Sequence, residues 1–541
     1  MQRLTGGFRP YCLLILLGLF LFLPGIAAVP PIDRDESRFA QASHQMLESG
    51  DYVRIQFQQE SRAKKPVGIY WMQAASARLL GAEQSIWAYR LPSAAGALAA
   101  VLLTFYFGQF LTGRPAALAG AALLAGAFML VSEAHQAKTD AVLLAAAVAA
   151  QGALARFYMA GKNAGPRPGL GTALVFWVAQ GIAILIKGPI IPMVSLLTVI
   201  ALWIADRRIG WLRGIRPLSG IIIVAAMVAP WVAAISSATG GQFVGQAVKG
   251  DLLPKLLGAQ ESHGAPPGYY LLLMTATLWP ASLFVVPGFV RAVKAREGAA
   301  LRFCLAWIVP SWIVFEAVPT KLPHYVLPTY PALALLAGLA VAAGDPCLRT
   351  AWAKAFYALF ALVGIALAVL FVAAPVRLGD GLTWLSLPPA AAALAAGVVP
   401  AALAWRGRFF PAVEAALAGA ILTYGLALQT LMPHMDRMWL SQRVAAELPS
   451  GTPVAAAGFH EPSLVFLMGT GTFLTDGEGA ARFLLSPPAA AAVVEARQQP
   501  SFDAALAAAG RKARLIAREE GLNYSSGRPA SLDLWELDGK P

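Results

Sequence analysis

The chain has 541 residues, of which 58% are hydrophobic and only 13% are charged, with a net charge of +13 and a mean hydropathy of +0.61. Soluble domains are about half apolar and about a quarter charged, so this composition excludes an ordinary soluble protein. The positive charge does not indicate nucleic-acid binding. The basic residues sit in short segments between apolar runs, where the topology signals of membrane proteins are found.

The apolar residues are concentrated in long runs along the chain. The backbone must satisfy its own hydrogen bonds in hydrocarbon, so each run of roughly 20 apolar residues predicts a membrane-spanning helix. About thirteen such spans are predicted on this rule, near residues 11–30, 88–111, 115–132, 139–158, 170–186, 189–204, 218–236, 268–290, 303–319, 326–343, 354–374, 382–404 and 412–431. Arg3 and Arg9 before the first run are also compatible with a cleavable signal peptide. A retained anchor is preferred, because the run is long and ends in Pro30-Pro31.

Basic residues fall in alternate gaps between the predicted spans, and this alternation orients the chain. If the N-terminus is cytoplasmic, every even-numbered gap is basic. An odd number of spans then places residues 432–541 outside the cytoplasm. The three cysteines, Cys12, Cys304 and Cys347, lie in or beside predicted spans, so no disulfide is expected.

The exterior tail, residues 432–541, differs in kind from the membrane domain, residues 1–431, because it contains no apolar run long enough to span. Apolar runs at 452–457, 514–517 and 532–537 predict strands, and 462–468 and 502–509 predict helices. The predicted fold is therefore an all-α polytopic membrane protein with about thirteen transmembrane helices and a small α/β exterior domain at the C-terminus.

The first long exterior segment, 31–87, begins with four charged residues in a row, Asp33, Arg34, Asp35 and Glu36. Charges at the end of a membrane helix are costly unless water or partners satisfy them. Apolar residues then recur with helical spacing over 36–48, which predicts an amphipathic helix at the membrane interface. Residues 66–80 predict a second interfacial helix with aromatic anchors. Alternation over 53–57 predicts a short strand between the two helices.

Asp33-Arg34-Asp35 has the Asp-x-Asp spacing with which soluble sugar-nucleotide transferases hold a metal on a diphosphate. The triplet is weak evidence alone, and neither a glycine-rich phosphate loop nor an alternating strand–helix pattern stands beside it. A solvated, charged helix flank is the alternative interpretation.

Other ionisable residues fall in the remaining exterior gaps. The second long gap, 237–268, contains Lys255 and His263, and shorter gaps contain other candidates, namely Asp140, Lys187, Lys321 and Tyr325. Ionisable residues at the ends of membrane helices are functional candidates, although Lys187 could equally be a snorkelling lysine. Carboxylates and lysines on one face suit transfer from a lipid phosphate. A carboxylate can act as a base, lysines can stabilise the departing phosphate, and no metal is required.

These residues form an ordered set of motifs over about 30–345. The motifs are Asp35-Glu36-Ser37-Arg38, Lys65-Pro66, Tyr89-Arg90, Asp140, Lys187-Gly188-Pro189, His263 and Lys321-Leu322-Pro323-His324-Tyr325. This set resembles the aminoarabinose transferases of bacterial lipid A modification and, more distantly, the protein O-mannosyltransferases. Both families belong to the GT-C superfamily of polyprenyl-phosphate-sugar transferases.

The resemblance implies roles for the candidate residues. Asp35 would be the main catalytic acidic residue, and Asp140 the second aspartate of the pocket. Lys65, Lys255 and Tyr325 would lie at the donor phosphate. The complete set of candidates is catalytic Asp35, Glu36 and Asp140; donor-phosphate ligands Lys65, Lys255, Lys321 and Tyr325; and pocket residues Arg38, Arg90, Lys187 and His263.

The chain departs from the family pattern at two positions. Lys64 stands where relatives have a glutamate that, with a histidine matching His263, can bind zinc, so a metal ion is not predicted here and no cofactor is expected. Lys255 stands where the family has an arginine, which replaces a bidentate fork by a point charge. Both departures weaken the inference that lipid A and aminoarabinose are the substrates.

The expected function is inverting transfer of a sugar from an undecaprenyl-phosphate donor to an envelope glycolipid such as lipid A, on the periplasmic face of the bacterial inner membrane. A protein O-glycosyltransferase of the same superfamily is the first alternative. A lipid or sugar transporter is less favoured because no internal repeat is found. An exterior binding module on an anchor would need one membrane helix, and many are predicted.

Overall fold

The structure is a computed structural model, and it describes residues 6–62, 65–245, 264–449, 451–486 and 490–538. Four residues discussed above, Arg3, Lys64, Lys255 and His263, lie outside the described residues.

The chain is mostly helical from residue 9 to residue 446. The helices, in chain order, are α1 Arg9–Phe22, α2 Asp35–Ser49, α3 Gly68–Leu79, α4 Ile86–Thr112, α5 Arg114–Gly126, α6 Phe128–Ala134, α7 Asp140–Gly161, α8 Leu170–Lys187, α9 Ile190–Asp206, α10 Pro217–Ala238, α11 Gln242–Gly245, α12 Tyr269–Thr277, α13 Ser282–Lys294, α14 Ala299–Ala317, α15 Tyr330–Ala343, α16 Ala351–Leu378, α17 Leu387–Trp405, α18 Phe409–Leu426 and α19 Leu440–Ala446. A 3₁₀ segment, Pro323–Thr329, leads directly into α15.

Within the described residues, nine helices are long and apolar enough to cross a membrane, and a tenth span is possible if α5 and α6, bent by 60°, count as one. The sequence predicted about thirteen spans, and the difference lies in three places. Helices α1 and α9 are apolar but shorter than a full span. The span predicted at 268–290 is divided into α12 and α13. The many-helix membrane architecture itself is confirmed.

Small residues allow the membrane helices to approach closely. A Cβ atom added to Gly96 of α4 would lie 2.8 Å from the Cα of Val142 in α7. Gly338 of α15 lies in a similar way against the backbone of Gly120 in α5. Helices in lipid gain little from the hydrophobic effect when they associate, so such close backbone contact carries much of their packing.

The first exterior loop contains the two predicted helices, α2 and α3, and between them a two-residue hairpin of β1 Gln56–Phe57 and β2 Glu60–Ser61. Helix α2 ends at Gly50, whose φ of +70° suits a glycine cap. Both faces of α2 are buried, so the helix lacks the solvated face expected of an amphipathic helix, and its predicted position at the membrane interface stays a prediction. The second face is covered by the C-terminal domain, whose Phe466 contacts His44 of α2 at a ring separation of 6.5 Å.

The C-terminal domain is a small α/β unit, as predicted. Its strands are β3 Val454–Ala457, β4 Phe473–Thr475, β5 Ala491–Glu495, β6 Ala513–Asn523 and β7 Arg528–Leu537, and its helices are α20 Pro462–Met468, α21 Gly477–Leu485 and α22 Gln499–Ala508. The strand order is β4-β3-β5-β7-β6, with β4, β3 and β5 parallel and β7 antiparallel to β5 and β6. Sequence patterns missed β4, β5 and α21. The strand β4 has only three residues, too few for a periodic signal.

Candidate active site

Glu36 and Arg90 form a fully buried ion pair beneath the first exterior loop. The guanidinium donates to both carboxylate oxygens at 2.8 Å. It also donates to three main-chain carbonyls that follow α1, those of Ile26, Val29 and Pro30. The carboxylate accepts two further main-chain N–H groups, those of Ile32 and Ala137. The Glu36 carboxylate and the Arg90 guanidinium are thus occupied by each other and by main-chain groups, so a structural role fits them better than the predicted catalytic role of Glu36 and pocket role of Arg90. The pair fastens the loop to the membrane helices.

Asp35, one residue earlier, has the opposite environment. It is the first residue of α2, and 58% of its side chain is exposed. Arg62 Nη2 lies 3.8 Å from its Oδ1, and Arg62 is held in turn by the hydroxyl of Tyr70 at 3.2 Å and by the face of Phe39 at 4.9 Å. Asp35 is therefore an accessible carboxylate beside an immobilised cation. Arg38 lies one turn further along the same helix and is half-buried.

A cluster of buried charged side chains, here called the exterior cluster, lies where α6, α7, α8 and the segment before α15 meet. It consists of Glu133, Lys138, Asp140, Lys187 and His324. Lys187 Nζ lies 2.6 Å from Asp140 Oδ1, and Lys138 Nζ lies 3.1 Å from Glu133 Oε1. The His324 ring lies between the two carboxylates, with Nδ1 3.5 Å from Glu133 and Nε2 3.8 Å from Asp140.

Local backbone structure places the two ends of this cluster. Lys187 is the last residue of α8, and the helix ends there because Gly188 adopts a φ of +73° and Pro189 follows it. Asp140 is the first residue of α7, where a carboxylate is favoured by the helix dipole. The prediction that these two residues lie at the ends of membrane helices is confirmed, and the structure joins them in one ion pair.

The exterior cluster and the exposed Asp35 belong to one electrostatic environment. Burial lowers the pKa of the Lys138 ammonium, but the charges of Glu133, Asp140 and Asp35 outweigh burial and hold this pKa above its ordinary value. Lys65 lies close enough to His324 for their charges to interact. Residues of the first exterior loop therefore face the cluster.

Lys321 and Tyr325 stand on the same side of the cluster. Lys321 is buried, and its ammonium donates to the carbonyl of Val318 at 2.7 Å. Tyr325 lies beside the ring of His324, 5.2 Å between ring centroids, and its own ring faces the Lys187 ammonium at 5.6 Å. Five of the predicted residues are thus brought into this region, namely Asp35, Lys65, Asp140, Lys187 and Tyr325. Lys321 is adjacent, whereas Lys255 and His263 lie outside the described residues.

Sequence reasoning did not select four residues that the structure places in the site, which are Arg62, Glu133, Lys138 and His324. His324 stands inside the Lys321–Tyr325 motif, so its position was available as a signal. Glu133 and Lys138 flank Asp140 in a short exterior gap and could have been found in the same way. Arg62 has no local signal, because its importance comes from Tyr70 and Asp35, which fold onto it.

Cations outnumber carboxylates in this region. The cations are Arg62, Lys65, Lys138, Lys187 and Lys321, and the carboxylates are Asp35, Glu133 and Asp140. An excess of buried positive charge near the membrane suits an anionic lipid headgroup, and an exposed carboxylate beside it suits proton removal from an acceptor.

The chain is similar to several known proteins. Residues 64–233 match the family model described as dolichyl-phosphate-mannose-protein mannosyltransferase. An undecaprenyl phosphate-alpha-4-amino-4-deoxy-L-arabinose arabinosyl transferase from Pseudomonas fluorescens (strain Pf0-1) is 26% identical over 308 residues, which are 57% of this chain and 53% of the relative. A second, from strain Pf-5, is 28% identical over 334 residues, 61% of this chain and 55% of the relative. The match thus spans about half the length of these curated relatives.

Solved structures show the fold over the whole chain. ArnT from Cupriavidus metallidurans bound to undecaprenyl phosphate superposes with a TM-score of 0.76 at 20% identity, and the alignment covers 98% of each chain. The apo form of the same protein gives a TM-score of 0.73 with 97% coverage of each chain. The chain therefore has the fold of ArnT, is similar in sequence to the aminoarabinose transferases, and matches the protein mannosyltransferase family model over residues 64–233.

Proposed function

We propose that the chain is a membrane glycosyltransferase that moves a sugar from an undecaprenyl-phosphate donor to an envelope glycolipid such as lipid A, with inversion at the anomeric carbon. The observation that carries this proposal is the exposed Asp35 beside a buried, lysine-rich cluster at the ends of membrane helices. The names of the curated relatives agree with it.

A polyprenyl-phosphate donor fits two neighbouring features. An apolar groove with a volume of about 250 Å³ is lined by α12, α13, α14 and α15, including Met274, Phe289 and Trp312. Helix α14 leads from this groove to Lys321, just beyond its C-terminal end. A lipid chain in the groove would bring its phosphate toward the lysines of the site, whose charge offsets that of the phosphate.

The chemical step follows from these positions. The acceptor oxygen attacks the anomeric carbon, the bond from that carbon to the phosphate oxygen breaks, and polyprenyl phosphate leaves with an additional negative charge. Lys65, Lys187 and Lys321 would stabilise the charge that develops on the leaving group. When the acceptor is a hydroxyl, Asp35 takes its proton as general base. When the acceptor is a phosphate, which has already lost its proton, Asp35 orients it.

We propose that this transfer needs no metal ion. Lys138 and Lys187 already lie against Glu133 and Asp140, at the positions that a cation would take beside these carboxylates. The positive charge that a metal would contribute is then supplied by ammonium groups.

Protein O-glycosylation is the second candidate, because the matched family model is described as a protein mannosyltransferase. It would use the same donor site and differ in the acceptor. For either acceptor, the basic gaps between spans support a location in the bacterial inner membrane with the site on the periplasmic face.

Mass spectrometry of extracted envelope lipids tests the proposed function. A strain that lacks the gene would be compared with strains restored by wild type, by Asp35→Asn, or by Glu60→Gln, a matched control on an exposed carboxylate of the same loop. We expect one glycolipid to lose a sugar in the deletion strain, with recovery by wild type and Glu60→Gln but not by Asp35→Asn. Lipids unchanged by the deletion would refute a glycolipid acceptor, and changed glycoproteins would then favour the second candidate.

A further inference from the structure

The residue that precedes Asp35 has a strained backbone. Arg34 adopts φ +65° and ψ −112°, a combination that side-chain-bearing residues rarely adopt and that is the mirror image of the extended region. Arg34 is the N-cap of α2 and Asp35 is the first residue of that helix. The dihedral angles of Arg34 therefore set the direction in which the Asp35 side chain points. Such a conformation persists only where surrounding contacts impose it.

The contacts that impose it come from the opposite end of the sequence. The hydroxyl of Tyr524, in the turn between β6 and β7, accepts the main-chain N–H of Asp33 at 2.6 Å. The carbonyl of Ser525 accepts from the Arg34 guanidinium. The main-chain N–H of Ser463, in α20, donates to Asp33 Oδ1 at 3.0 Å. In all three contacts, Asp33 or Arg34 is hydrogen-bonded to a group of the C-terminal domain.

The hairpin turn, Asn523–Ser526, is itself fixed by one carboxylate. Glu461 accepts from the Asn523 amide at 2.8 Å and from the Ser525 hydroxyl at 2.9 Å, one bond to each of its oxygens. Glu461 is also the N-cap of α20, so one residue holds the turn against the start of that helix. The chain of contacts runs from Glu461 through the turn to Asp33 and Arg34.

We propose that the Asn523–Ser526 turn is a positioning element of the transfer site: it holds the strained backbone at Arg34 and thereby aims the Asp35 carboxylate. This inference rests on the proposed function and adds a task for the C-terminal domain. Tyr524 and Glu461 are positioning residues, because they act on the reaction through Asp35. Small errors in the placement of a reacting group lower the rate of the chemical step, whereas binding of a donor elsewhere in the pocket is unaffected.

The test uses the full-length protein in detergent with Tyr524→Phe, which removes the hydroxyl that accepts from the Asp33 N–H and that also interacts with the Asp33 carboxyl. We expect kcat to fall between about tenfold and about a hundredfold, with the donor KM and the unfolding temperature unchanged. Glu478→Gln, on an exposed pair in the same domain, is the control and is expected to behave as wild type.

A second variant tests the strain directly. Glycine adopts the Arg34 dihedral angles without steric cost, so we expect adding Arg34→Gly to Tyr524→Phe to recover some of the lost kcat. If the turn acted only as a structural support of the domain, this substitution would recover nothing, and that result would overturn the proposal.

Hydrogen exchange separates this inference from the proposed function. The first turn of α2 is closed by hydrogen bonds from the N–H groups of Ser37 and Arg38, and we expect Tyr524→Phe to speed exchange in a peptide covering residues 32–40. Unchanged exchange, or faster exchange with unchanged kcat, overturns the inference alone. Wild-type protein without transfer refutes the proposed function and the catalytic side of this inference together.

Discussion

Asp35 and Glu36 are adjacent carboxylates with different environments. Glu36 is fully buried and accepts hydrogen bonds from Nε and Nη2 of Arg90. More than half of the Asp35 side chain is exposed. The sequence shows both as charges beside a membrane helix and cannot separate them, because the partner of Glu36 lies 54 residues away in α4. The general expectation that such charges need partners was nevertheless sound.

This difference leads to opposite consequences for two isosteric substitutions. We expect Glu36→Gln to lower the free energy of unfolding by about 3–5 kcal/mol, since it leaves the buried Arg90 charge without its counter-ion. Asp35→Asn is expected to leave unfolding unchanged while it abolishes transfer. Denaturant or thermal unfolding of the purified proteins in detergent would measure both. Equal stability of the two variants would contradict the assignment of Glu36 as a structural residue.

At the scale of elements, helix periodicity was a reliable guide. The predicted segments 36–48 and 66–80 lie within or overlap α2 and α3, and the predicted 462–468 helix matches α20. The neighbours of these helices could not be predicted. One face of α2 packs against α20 and the turn that follows it, more than 400 residues later in the chain, and Gln41 donates to Thr470 of that turn. An amphipathic pattern reports that one face is buried and does not report a second partner with a polar surface.

The contact between α2 and the C-terminal domain is expected to depend on pH through Asp33. Burial, with the nearby negative charge of Glu461, raises the pKa of the Asp33 carboxyl to about 6, while hydrogen bonds from Ser463 and Tyr524 oppose the shift. Its ordinary value is 3.8, so the folded protein binds this proton more tightly than the unfolded chain does. The contribution of Asp33 to the free energy of unfolding therefore rises as the pH falls through about 6. It becomes constant below the ordinary pKa of 3.8.

Unfolding temperatures of wild type and Asp33→Asn, measured side by side from pH 7.5 to pH 4.5, would check this. We expect wild type to gain stability relative to the variant as the pH falls, because only wild type can take up the proton. Two curves that stay parallel across this range would show that Asp33 does not titrate in the folded protein.

At the scale of the whole molecule, the alternation of basic gaps predicted which loops share a side. Lys162, Asp206 and Arg302 come from three gaps predicted to be cytoplasmic, and the structure joins them in one ion-pair group. Asp35, Lys138 and His324 come from gaps predicted to be exterior and meet in the candidate site. The alternation predicts the side of each loop because basic residues are enriched in the loops on the cytoplasmic side. The alternation contains no information on which exterior residues lie close together. It therefore could not predict that Arg62 and the Asn523–Ser526 turn lie near Asp35.

The central claim is that Asp35 and the exterior cluster transfer a sugar from a lipid phosphate, and a reaction of the purified components tests it most directly. Wild type, Asp35→Asn and Glu60→Gln would each be incubated with an undecaprenyl-phosphate sugar and lipid A, and both released undecaprenyl phosphate and glycosylated lipid would be measured. We predict matched amounts of the two products for wild type and Glu60→Gln, and neither product for Asp35→Asn. Near wild-type turnover by Asp35→Asn would contradict the account.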